Sequence, residues 1–505
     1  MILLVEENYF SMKFLCVLAF FTIVDAKPNI IILVADDLGF NDLSFHGSEQ
    51  IPTPNLDSLA KNGTILDNYY VCPVCSPSRG ALMTGLYPIH TGLQHGPIPS
   101  SHPYGLSLKF RLLPEWLKNM TYDTHAIGKW HLGFFKKNYT PTFRGFDSHY
   151  GYWSGAEDYF DHTHQMGELW GLDFRHNMKS ITDKLGQYST SLYTEQAVHL
   201  IKNHNKSKPL FLYVAYQAVH SANSYSPLQA PEEYIKRFSY IEDKHRRVFA
   251  AMVSAMDDSV GKIVSTLNSQ NMLDNSVILF TTDNGGPAAG FNNNAASNWP
   301  LRGVKATLWE GGVRGISFIW SSLLKIRRIS KDLMHVTDWL PTLYRAAGSG
   351  DVSLLGPLDG YDMWDTLRGN KPSPRSEVLL NIDPIHQNSA LRVGQYKIIQ
   401  GKMYDGNWNG WYGPSGRKNV SEVICGPKPA NASTNCQPTV RPCLFNIEDD
   451  PCEYYNLAAV KPEILTALLK RLSEYNSTAV PPGNKPMDPM SNPKYHSYQW
   501  THWMD

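Results

Sequence analysis

The chain has 505 residues, of which 42% are hydrophobic and 12% aromatic, so it can bury a large core and should fold. Lysine plus arginine and aspartate plus glutamate balance at 46 each, and no basic run is present. This composition gives no support for a nucleic-acid partner. Any affinity for an anion must therefore come from a local site rather than from net charge.

The N-terminus has the features of a secretory signal peptide. A short basic region precedes an apolar run at 14–24, and a small-residue cleavage site ends at Ala26. The run is too short to cross a membrane as a helix, and no later segment has the required length of apolar residues. We predict a signal peptide at 1–26, with 1–11 a candidate false upstream start, and a mature chain without a membrane span that begins near Lys27.

Sequons and late cysteines also favour an oxidising, extracellular-type compartment. The candidate glycosylation sites are Asn62, Asn119, Asn138, Asn205, Asn419, Asn431 and Asn476. The candidate disulfide cysteines are Cys425, Cys436, Cys443 and Cys452. Four cysteines allow three pairings. A zinc site is the alternative, although their spacings lack a C-x-x-C pair.

Two strongly apolar runs end in polar pairs. Residues 28–35 and 276–282 have the pattern of strands buried on both faces of a parallel sheet. In open α/β sheets the carboxyl ends of such strands are where ligands bind. Carboxylate and amide oxygens suit Ca²⁺ or Mg²⁺, and turn or capping roles are the structural alternative. The candidate ligands after these strands are Asp36, Asp37, Asp283 and Asn284.

The remaining elements complete a mixed α and β pattern up to residue 372. The pattern predicts helices at 54–62, 110–119, 249–267 and 336–347 and strands at 65–71 and 209–217. The strand at 65–71 leads into a loop that contains cysteine, and the strand at 209–217 ends near His220. A lone histidine after a strand is usually structural. His220, however, follows the end of a third predicted strand, where ligands bind, and this position favours a functional role.

The chain changes character in the proline-containing stretch near residue 372. Beyond it the pattern predicts short strands at 391–393 and 396–399, a turn at Gly394 and a helix at 462–475. We therefore predict a large N-terminal α/β domain at 27–372. A smaller α+β domain at 373–505 should form an antiparallel sheet with one covering helix.

The run from Cys75 to Gly85 reads C-S-P-S-R-G-A-L-M-T-G. It resembles the first sulfatase signature, C-[TS]-P-S-R-x-x-L-x-T-G. In that family a formylglycine-generating enzyme oxidises the cysteine to Cα-formylglycine, whose hydrate attacks sulfur with one hydroxyl and expels sulfate through the other. From the residues alone, a buried cysteine before a helix that begins near Pro77 is the alternative. The presence of a cysteine at position 72 departs from the usual pattern. The alternatives are that Cys72 is a free thiol or that it forms a disulfide with Cys75, which would compete with the oxidation of Cys75.

Two later motifs extend the resemblance. Residues 122–133 resemble the second sulfatase signature, G-Y-x-[ST]-x-x-x-G-K-W-H-x-G, and include Lys129 and His131. Thr121 stands where that pattern has glycine. Residues 301–315 also resemble sulfatases and contribute Lys305 as a sulfate contact, whereas we interpret Glu310 and Arg314 in the same run as structural.

The nearest resemblance is to the arylsulfatase B (N-acetylgalactosamine-4-sulfatase) group, carried by residues 92–95, 298–303 and 338–343. It implies an alkaline-phosphatase-like α/β sandwich with a large, mostly parallel central sheet and a small C-terminal antiparallel sheet. The implied substrate is a sugar sulfate ester, either N-acetylgalactosamine 4-sulfate of glycosaminoglycans or a small sulfated glucoside. The implied location is the lysosome or the extracellular space.

The resemblance also assigns roles. One Ca²⁺ would be held by position 75 together with Asp36, Asp37, Asp283 and Asn284. Arg79 would orient the formylglycine hydrate, and Lys129 and Lys305 would bind sulfate oxygens. His220 would contact the substrate and protonate the leaving alcohol, and His131 would take the proton from the second hydroxyl.

Two other function classes remain in view. A phosphate-ester hydrolase of the same superfamily would use serine or threonine as nucleophile, so Cys75 in C-x-P-S-R argues against it. A non-catalytic relative that binds sulfated glycans would not need the complete set of motif residues. The intact set therefore favours an enzyme.

Overall fold

The computed structural model describes residues 27–324, 327–348, 350–413 and 421–505. The predicted signal peptide at 1–26 and the sequon at Asn419 lie outside the described residues. Among the described helices, none has the combination of length and apolar content that a membrane crossing requires.

Strands and helices alternate through most of the described chain. The strands are β1 Asn29–Ala35, β2 Thr64–Leu66, β3 Tyr69–Tyr70, β4 Asp123–Lys129, β5 Ser148–Tyr152, β6 Thr163–Met166, β7 Leu169–Leu172, β8 Arg175–His176, β9 Lys179–Ser180, β10 Leu210–Ala215, β11 Ser276–Thr282, β12 Ser317–Ser321, β13 Arg328–Ser330, β14 Met334–His335, β15 Glu377–Asp383, β16 Asn388–Val393, β17 Tyr396–Gly401 and β18 Cys443–Asn446. The α-helices are α1 Pro54–Lys61, α2 Cys75–Thr84, α3 Pro88–Thr91, α4 Leu113–Asn119, α5 Ser189–Asn203, α6 Glu232–Arg237, α7 Lys244–Ser269, α8 Glu310–Val313, α9 Trp339–Ala346, α10 Trp364–Leu367 and α11 Pro462–Thr478.

The large sheet has ten strands in the order β13-β2-β12-β11-β1-β10-β4-β5-β8-β9. Its five central strands, from β11 to β5, are parallel. Beyond them, β12 pairs antiparallel with β11 and β8 pairs antiparallel with β5. The expected mostly parallel sheet is therefore a mixed sheet with a parallel centre. In that centre Val34 pairs with both Ala215 and Thr281, so three strands end at the same edge.

Side chains of β1 alternate between two separate cores, which explains why its sequence shows no polar positions after Asn29. Ile31 and Leu33 pack in one core with α1, α5 and α7. Ile30 and Ile32 pack in the other core with α2, α4 and α9. Helices therefore cover both faces of the sheet, and the apolar stripe predicted at 249–267 lies in the first core.

A second, smaller sheet has the order β15-β16-β17-β18, with every neighbouring pair antiparallel. The hairpin of β16 and β17 turns at Gly394, whose φ of +54° favours glycine. Leu468 and Leu472 of α11 pack in the core of this sheet. The predicted antiparallel sheet with a covering helix is confirmed.

The four late cysteines form two disulfides, so the zinc alternative is wrong. The bridges join Cys425 to Cys452 and Cys436 to Cys443. The sequons also fit an exported glycoprotein, because each described sequon asparagine is exposed to solvent. These are Asn62, Asn119, Asn138, Asn205, Asn431 and Asn476.

Tertiary pairing changes some of the predicted boundaries. The strand predicted at 65–71 is two strands, because β2 joins the large sheet whereas β3 pairs with β14 in a separate ribbon. The helix predicted from 110 begins at Leu113, where Glu115 accepts a hydrogen bond from the Leu112 amide at 2.7 Å and caps the first turn. Helix α2 begins at Cys75, ahead of the predicted Pro77.

Candidate active site

The neighbouring strands β1 and β11 bring the four candidate metal ligands together. Ala35 pairs with Thr282, so the polar pair after each strand begins at the same level of the sheet. Asn284 Nδ2 lies 2.7 Å from Asp37 Oδ1. One carboxylate oxygen from each of the three aspartates, at positions 36, 37 and 283, lies within 4.8 Å of the others.

Within the described ranges, three oxygens of these residues are buried without a hydrogen-bond donor. Asp36 Oδ1, Asp37 Oδ2 and Asn284 Oδ1 are buried and accept no hydrogen bond from any described residue. A buried polar atom left unpaired is costly, and a carboxylate especially so. A hard divalent cation that prefers oxygen ligands would satisfy all three atoms at once. The residues present therefore fit Ca²⁺ or Mg²⁺.

Cys75 is the first residue of α2 and is buried beside this cluster. Its Sγ, a carboxylate oxygen of Asp36 and a ring nitrogen of His220 lie within 4.8 Å of one another. Burial raises the pKa of the Cys75 thiol, although Lys129 and Lys305 oppose that effect. An unmodified thiol here is thus mostly protonated at neutral pH and is a weak nucleophile.

Arg79 lies one turn further along α2 and joins the loop after β1 to the loop after β11. Its Nε and Nη2 lie 2.9 and 2.8 Å from Asp283 Oδ2, and Nη2 lies 3.5 Å from Asp36 Oδ2. Burial lowers the pKa of Arg79, but Asp283, Tyr213 and Asp36 oppose it, and that pKa stays above the usual value. The guanidinium therefore stays charged between the two carboxylates.

Two buried lysines complete the charge balance. Lys129 is the last residue of β4, and its Nζ lies 2.5 Å from Asp36 Oδ2. Lys305 Nζ lies 2.6 Å from Asp37 Oδ1, and this contact helps to keep its pKa raised despite burial. With Arg79, the lysines match the three carboxylates. A bound divalent cation would leave a positive site, which selects an anionic substrate although the chain has no net charge.

His131 is held in one tautomer by a backbone carbonyl. Its Nε2 lies 3.0 Å from Ile98 O, which only accepts, so Nε2 carries the proton. Nδ1 then carries a lone pair and no proton, and it is buried without a hydrogen-bond partner among the described residues. Burial, followed by the charges of Lys129 and Arg79, lowers the pKa of His131 well below its usual value. The ring is therefore neutral, and its unpartnered Nδ1 is the atom at which a proton would be accepted.

His220 follows β10 and faces the cluster through its other nitrogen. Its Nδ1 donates to Ser221 O at 2.6 Å, and its Nε2 lies 3.5 Å from Asp37 Oδ2. Burial lowers the pKa of His220, and Asp37 opposes that effect. Nε2 is therefore the atom that can exchange a proton with a ligand in the site.

Comparison with known proteins settles the family. The family model described as Sulfatase matches residues 28–349. The chain belongs to the sulfatase family. The predicted sulfatase resemblance and the α/β fold it implied are thereby confirmed, and the large sheet is mixed with a parallel centre.

Named relatives of this sulfatase include arylsulfatases and a sugar sulfatase. It is 41% identical to mouse arylsulfatase J over 500 residues, covering 95% of this chain and 80% of that protein. It is 28% identical to human arylsulfatase A, covering 88% of this chain and 87% of that protein. It is also 28% identical to dog N-acetylgalactosamine-6-sulfatase, covering 90% of this chain and 87% of that protein. The crystal structure of Ps i-CgsB matches with a TM-score of 0.75, 29% identity and 95% coverage of each chain.

One positioning residue of this sulfatase was not assigned a role from sequence. Asn298 Oδ1 accepts from the Gly286 amide at 2.9 Å and the Phe40 amide at 3.4 Å, while its Nδ2 donates to Gly286 O at 2.7 Å. It therefore ties the loop after β1 to the loop after β11. The residue lies within the matched run 298–303, but its type and spacing alone do not indicate this contact.

The departures from the sulfatase motifs have structural explanations. Thr121 has a φ of +71°, the left-handed conformation that glycine adopts at low cost, so the turn is kept without the glycine.

Glu310 and Arg314 contact neighbouring residues of the fold. Glu310 accepts a hydrogen bond from Tyr70 Oη at 2.7 Å, and Arg314 donates to Asp67 O at 2.9 Å. These two contacts agree with the structural interpretation of both residues.

Cys72 is buried near the start of α2 and forms no disulfide within the described structure. Its amide donates to Ser78 Oγ at 2.8 Å, which fixes the backbone before the helix. Burial raises the pKa of the Cys72 thiol to about 12. The thiol is therefore inert at neutral pH, and Cys75 is also free rather than bridged to it.

Proposed function

We propose that this sulfatase hydrolyses the sulfate ester of a sugar, with a Cα-formylglycine hydrate at position 75 and one Ca²⁺ in the site. The observation that carries the proposal is the meeting of Cys75, Asp36 and His220 within 4.8 Å, beside two lysines and an arginine. A nucleophile position, a metal ligand and a proton donor thus share one anion-binding space.

The chemistry of position 75 supports modification rather than thiol catalysis. A thiolate that attacked a sulfate ester would leave a stable adduct, and burial already disfavours the thiolate of Cys75. The formylglycine hydrate supplies one hydroxyl as nucleophile and a second hydroxyl through which sulfate can leave. A formylglycine-generating enzyme is therefore the proposed partner during maturation.

The oxygen donors after β1 and β11 support the calcium proposal. We assign Asp36, Asp37, Asp283 and Asn284 as its protein ligands, on the unpartnered oxygens described above. A bound calcium ion would polarise a sulfate oxygen and offset the charge of the carboxylates. Lys129 and Lys305 would be drawn from their carboxylate partners toward the sulfate oxygens, and Arg79 would hold the nucleophile in place.

The histidine tautomers fit opposite proton-transfer roles. His131 has a free Nδ1 lone pair, so it can take a proton at that atom when sulfate is expelled. His220 has Nε2 directed into the site, so its protonated form can donate to the leaving alcohol oxygen. The backbone carbonyls of Ile98 and Ser221 orient the two rings and need not move during the reaction.

The sugar substrate is supported by relatives and by motifs. Relatives named N-acetylgalactosamine-6-sulfatase match most of the chain, and Ps i-CgsB has been solved in complex with k-i-k-neocarrahexaose, with 29% identity and a TM-score of 0.76. The runs at 92–95, 298–303 and 338–343 favour arylsulfatase B-like action on N-acetylgalactosamine 4-sulfate, with a small sulfated glucoside as the second candidate.

Location and domain organisation complete the proposal. Exposed sequons and two disulfides favour passage through the secretory pathway to the lysosome or the extracellular space. We assign catalysis to a domain at 27–372 and treat 373–505 as the smaller C-terminal domain, whose sheet and covering helix follow residue 376.

The test is the mass of the tryptic peptide that ends at Arg79, from protein secreted by a eukaryotic host. We expect formylglycine at position 75, turnover of 4-nitrocatechol sulfate, and release of sulfate from oligosaccharides that end in N-acetylgalactosamine 4-sulfate. A Cys75→Ala variant is the control and should be inactive. An unmodified Cys75 from a host that matures other sulfatases would instead favour the non-catalytic glycan-binding relative.

A further inference from the structure

A cluster of metal-ligating side chains lies outside the catalytic set. His95 lies in the loop between α3 and α4, Asp383 is the last residue of β15, and His386 follows in the next turn. One ligand atom from each lies within 4.8 Å of the others. We propose that these three residues form a second metal site, selective for Zn²⁺ or a similar borderline divalent cation over calcium.

The distances between the donor atoms suit a small tetrahedral ion. His95 Nδ1 lies 2.9 Å from Asp383 Oδ2, and His386 Nδ1 lies 2.9 Å from the same oxygen. In a tetrahedral site with bonds of about 2.0–2.2 Å, neighbouring ligand atoms are about 3.3 Å apart. The observed separations are slightly shorter, as expected when hydrogen bonds join the same atoms, so a small outward movement of the rings makes room for the ion.

The carboxylate is already oriented for this role. Asp383 is buried, and its Oδ1 accepts from the amides of Ile385 at 2.8 Å and His386 at 3.1 Å. These two bonds fix the carboxylate plane and leave Oδ2 toward the two imidazoles. Support of a ligand by backbone amides is the outer-shell arrangement that metal sites use to hold their first shell.

The donor set separates this site from the catalytic one. Two imidazole nitrogens and one carboxylate oxygen suit zinc, nickel, copper or iron(II), whereas calcium prefers oxygen alone. The side chain of His386 is 48% exposed, so an ion and a completing water can reach the cluster from solvent. The two sites should therefore load with different cations from a mixture.

The position of the cluster indicates what the ion would do. His95 and Asp383 are 288 residues apart, and a shared ion would fasten the end of the small sheet to the loop between α3 and α4. Three residues after His95, the Ile98 amide donates to Ser76 Oγ at 3.1 Å and the Ile98 carbonyl accepts from His131. The ion would thus stabilise the loop that orients a catalytic histidine.

Zinc binding itself tests the proposal, and the assay does not depend on catalysis. The mature chain carrying Cys75→Ala is saturated with calcium, because Cys75, Asp36 and His220 could otherwise bind zinc. It is dialysed against Zn²⁺, and zinc per chain is measured by atomic emission. His95→Ala and His386→Ala remove ligands, and His245→Ala, an exposed histidine of α7, is the matched control.

We expect one zinc per chain in the parent and in the His245→Ala variant, with affinity at least about tenfold weaker in the two ligand variants. Zinc should also raise the midpoint of thermal unfolding only where the cluster is intact. Equal zinc binding by the parent and the His386→Ala variant would refute the site, as would the absence of bound zinc in the parent. A conservative His386→Asn variant removes the imidazole but keeps a polar side chain. Loss of zinc binding in this variant, with its midpoint of thermal unfolding in the absence of zinc unchanged, shows that the loss reflects the ligand rather than misfolding.

Discussion

Arg79 makes two contacts to the same oxygen of Asp283, 2.9 Å from Nε and 2.8 Å from Nη2. Both side chains are buried, and Arg79 also reaches Asp36 and the carbonyl of Lys129. A single guanidinium therefore fixes the helix that carries position 75 to the loops after β1 and β11. A lysine has one nitrogen and cannot satisfy all of these partners.

The first prediction concerns Arg79→Lys. We expect kcat on 4-nitrocatechol sulfate to fall about 10²–10³-fold, because lysine keeps the charge but loses the guanidinium contacts that preorganise the site around the nucleophile. Arg441→Lys, at an exposed arginine, is the matched control and should leave kcat unchanged. Formylglycine content must be measured in both proteins, so that a maturation defect is not mistaken for a catalytic one. A fully active, normally matured lysine variant would contradict the role assigned to Arg79.

Removal of calcium is the second prediction. Chelation should abolish turnover and lower the midpoint of thermal unfolding, because three buried oxygens lose their partner. Added Ca²⁺ should restore both. Asn284→Ala should weaken calcium binding at least about tenfold, whereas Asn268→Ala, on the exposed face of α7, should not. Calcium affinity unaffected by Asn284→Ala would remove that residue from the ligand set.

The third prediction concerns pH and a buried triad away from the catalytic residues. Lys397 Nζ lies 2.8 Å from Glu310 Oε1 and 2.9 Å from Glu453 Oε1, so one lysine serves two carboxyl groups. Burial raises the pKa of Glu453 from 4.5 to about 7. Between those pH values the Glu453 carboxyl keeps its proton in the folded protein but has lost it in the unfolded chain. Its contribution to the free energy of unfolding is therefore fully present below pH 4.5 and is lost as the pH rises through 7.

We therefore expect Glu453→Gln to flatten the pH dependence of the free energy of unfolding. Between pH 4.5 and pH 7.5, the free energy of unfolding of the variant should rise by about 3 kcal/mol relative to that of the parent. Urea titrations with calcium present measure this difference. Glu310→Gln should act in the opposite direction, since Lys397, Arg314 and Arg392 together outweigh burial and lower the pKa of Glu310. Its loss should therefore destabilise the protein at neutral pH. Parallel pH curves for the parent and Glu453→Gln would contradict the raised pKa.

The fourth prediction separates the two neighbouring cysteines. Cys72→Ala should keep formylglycine formation and turnover, because the Cys72 thiol is fully buried and its pKa is about 12. The expected effect is a loss of stability of about 1 kcal/mol from the smaller side chain. Peptide mass and kcat check the first point, and urea denaturation checks the second. Reduced formylglycine in the Cys72→Ala variant would show that Cys72 takes part in maturation.

Much of the fold follows from local sequence patterns. The strand at Ser276–Thr282 has the predicted bounds, and β1 differs from its prediction by a single residue at its start. These runs are readable because strands buried on both faces contain almost only apolar residues. The hairpin at Gly394 is readable for a similar reason, since a positive φ in a tight turn favours glycine.

The order of the strands is not a local property. Residues 65–71 divide between two sheets, although their sequence is one continuous strand pattern. The antiparallel strands beside the parallel centre are also set by packing across the whole domain. Such choices depend on which surfaces meet after the chain folds, and no short window of sequence contains that information.

The sequence by itself determined the family, and it predicted the position of the proposed formylglycine and the residue types of the proposed metal and sulfate site. Chemistry restricts these positions to few side chains, so a short motif is enough to find them. Only the tertiary structure decided which nitrogen of His131 carries the proton, that Asn298 joins the loops after β1 and β11, and that His95 meets Asp383 across 288 residues. Those features depend on distances in space, which chain separation does not fix.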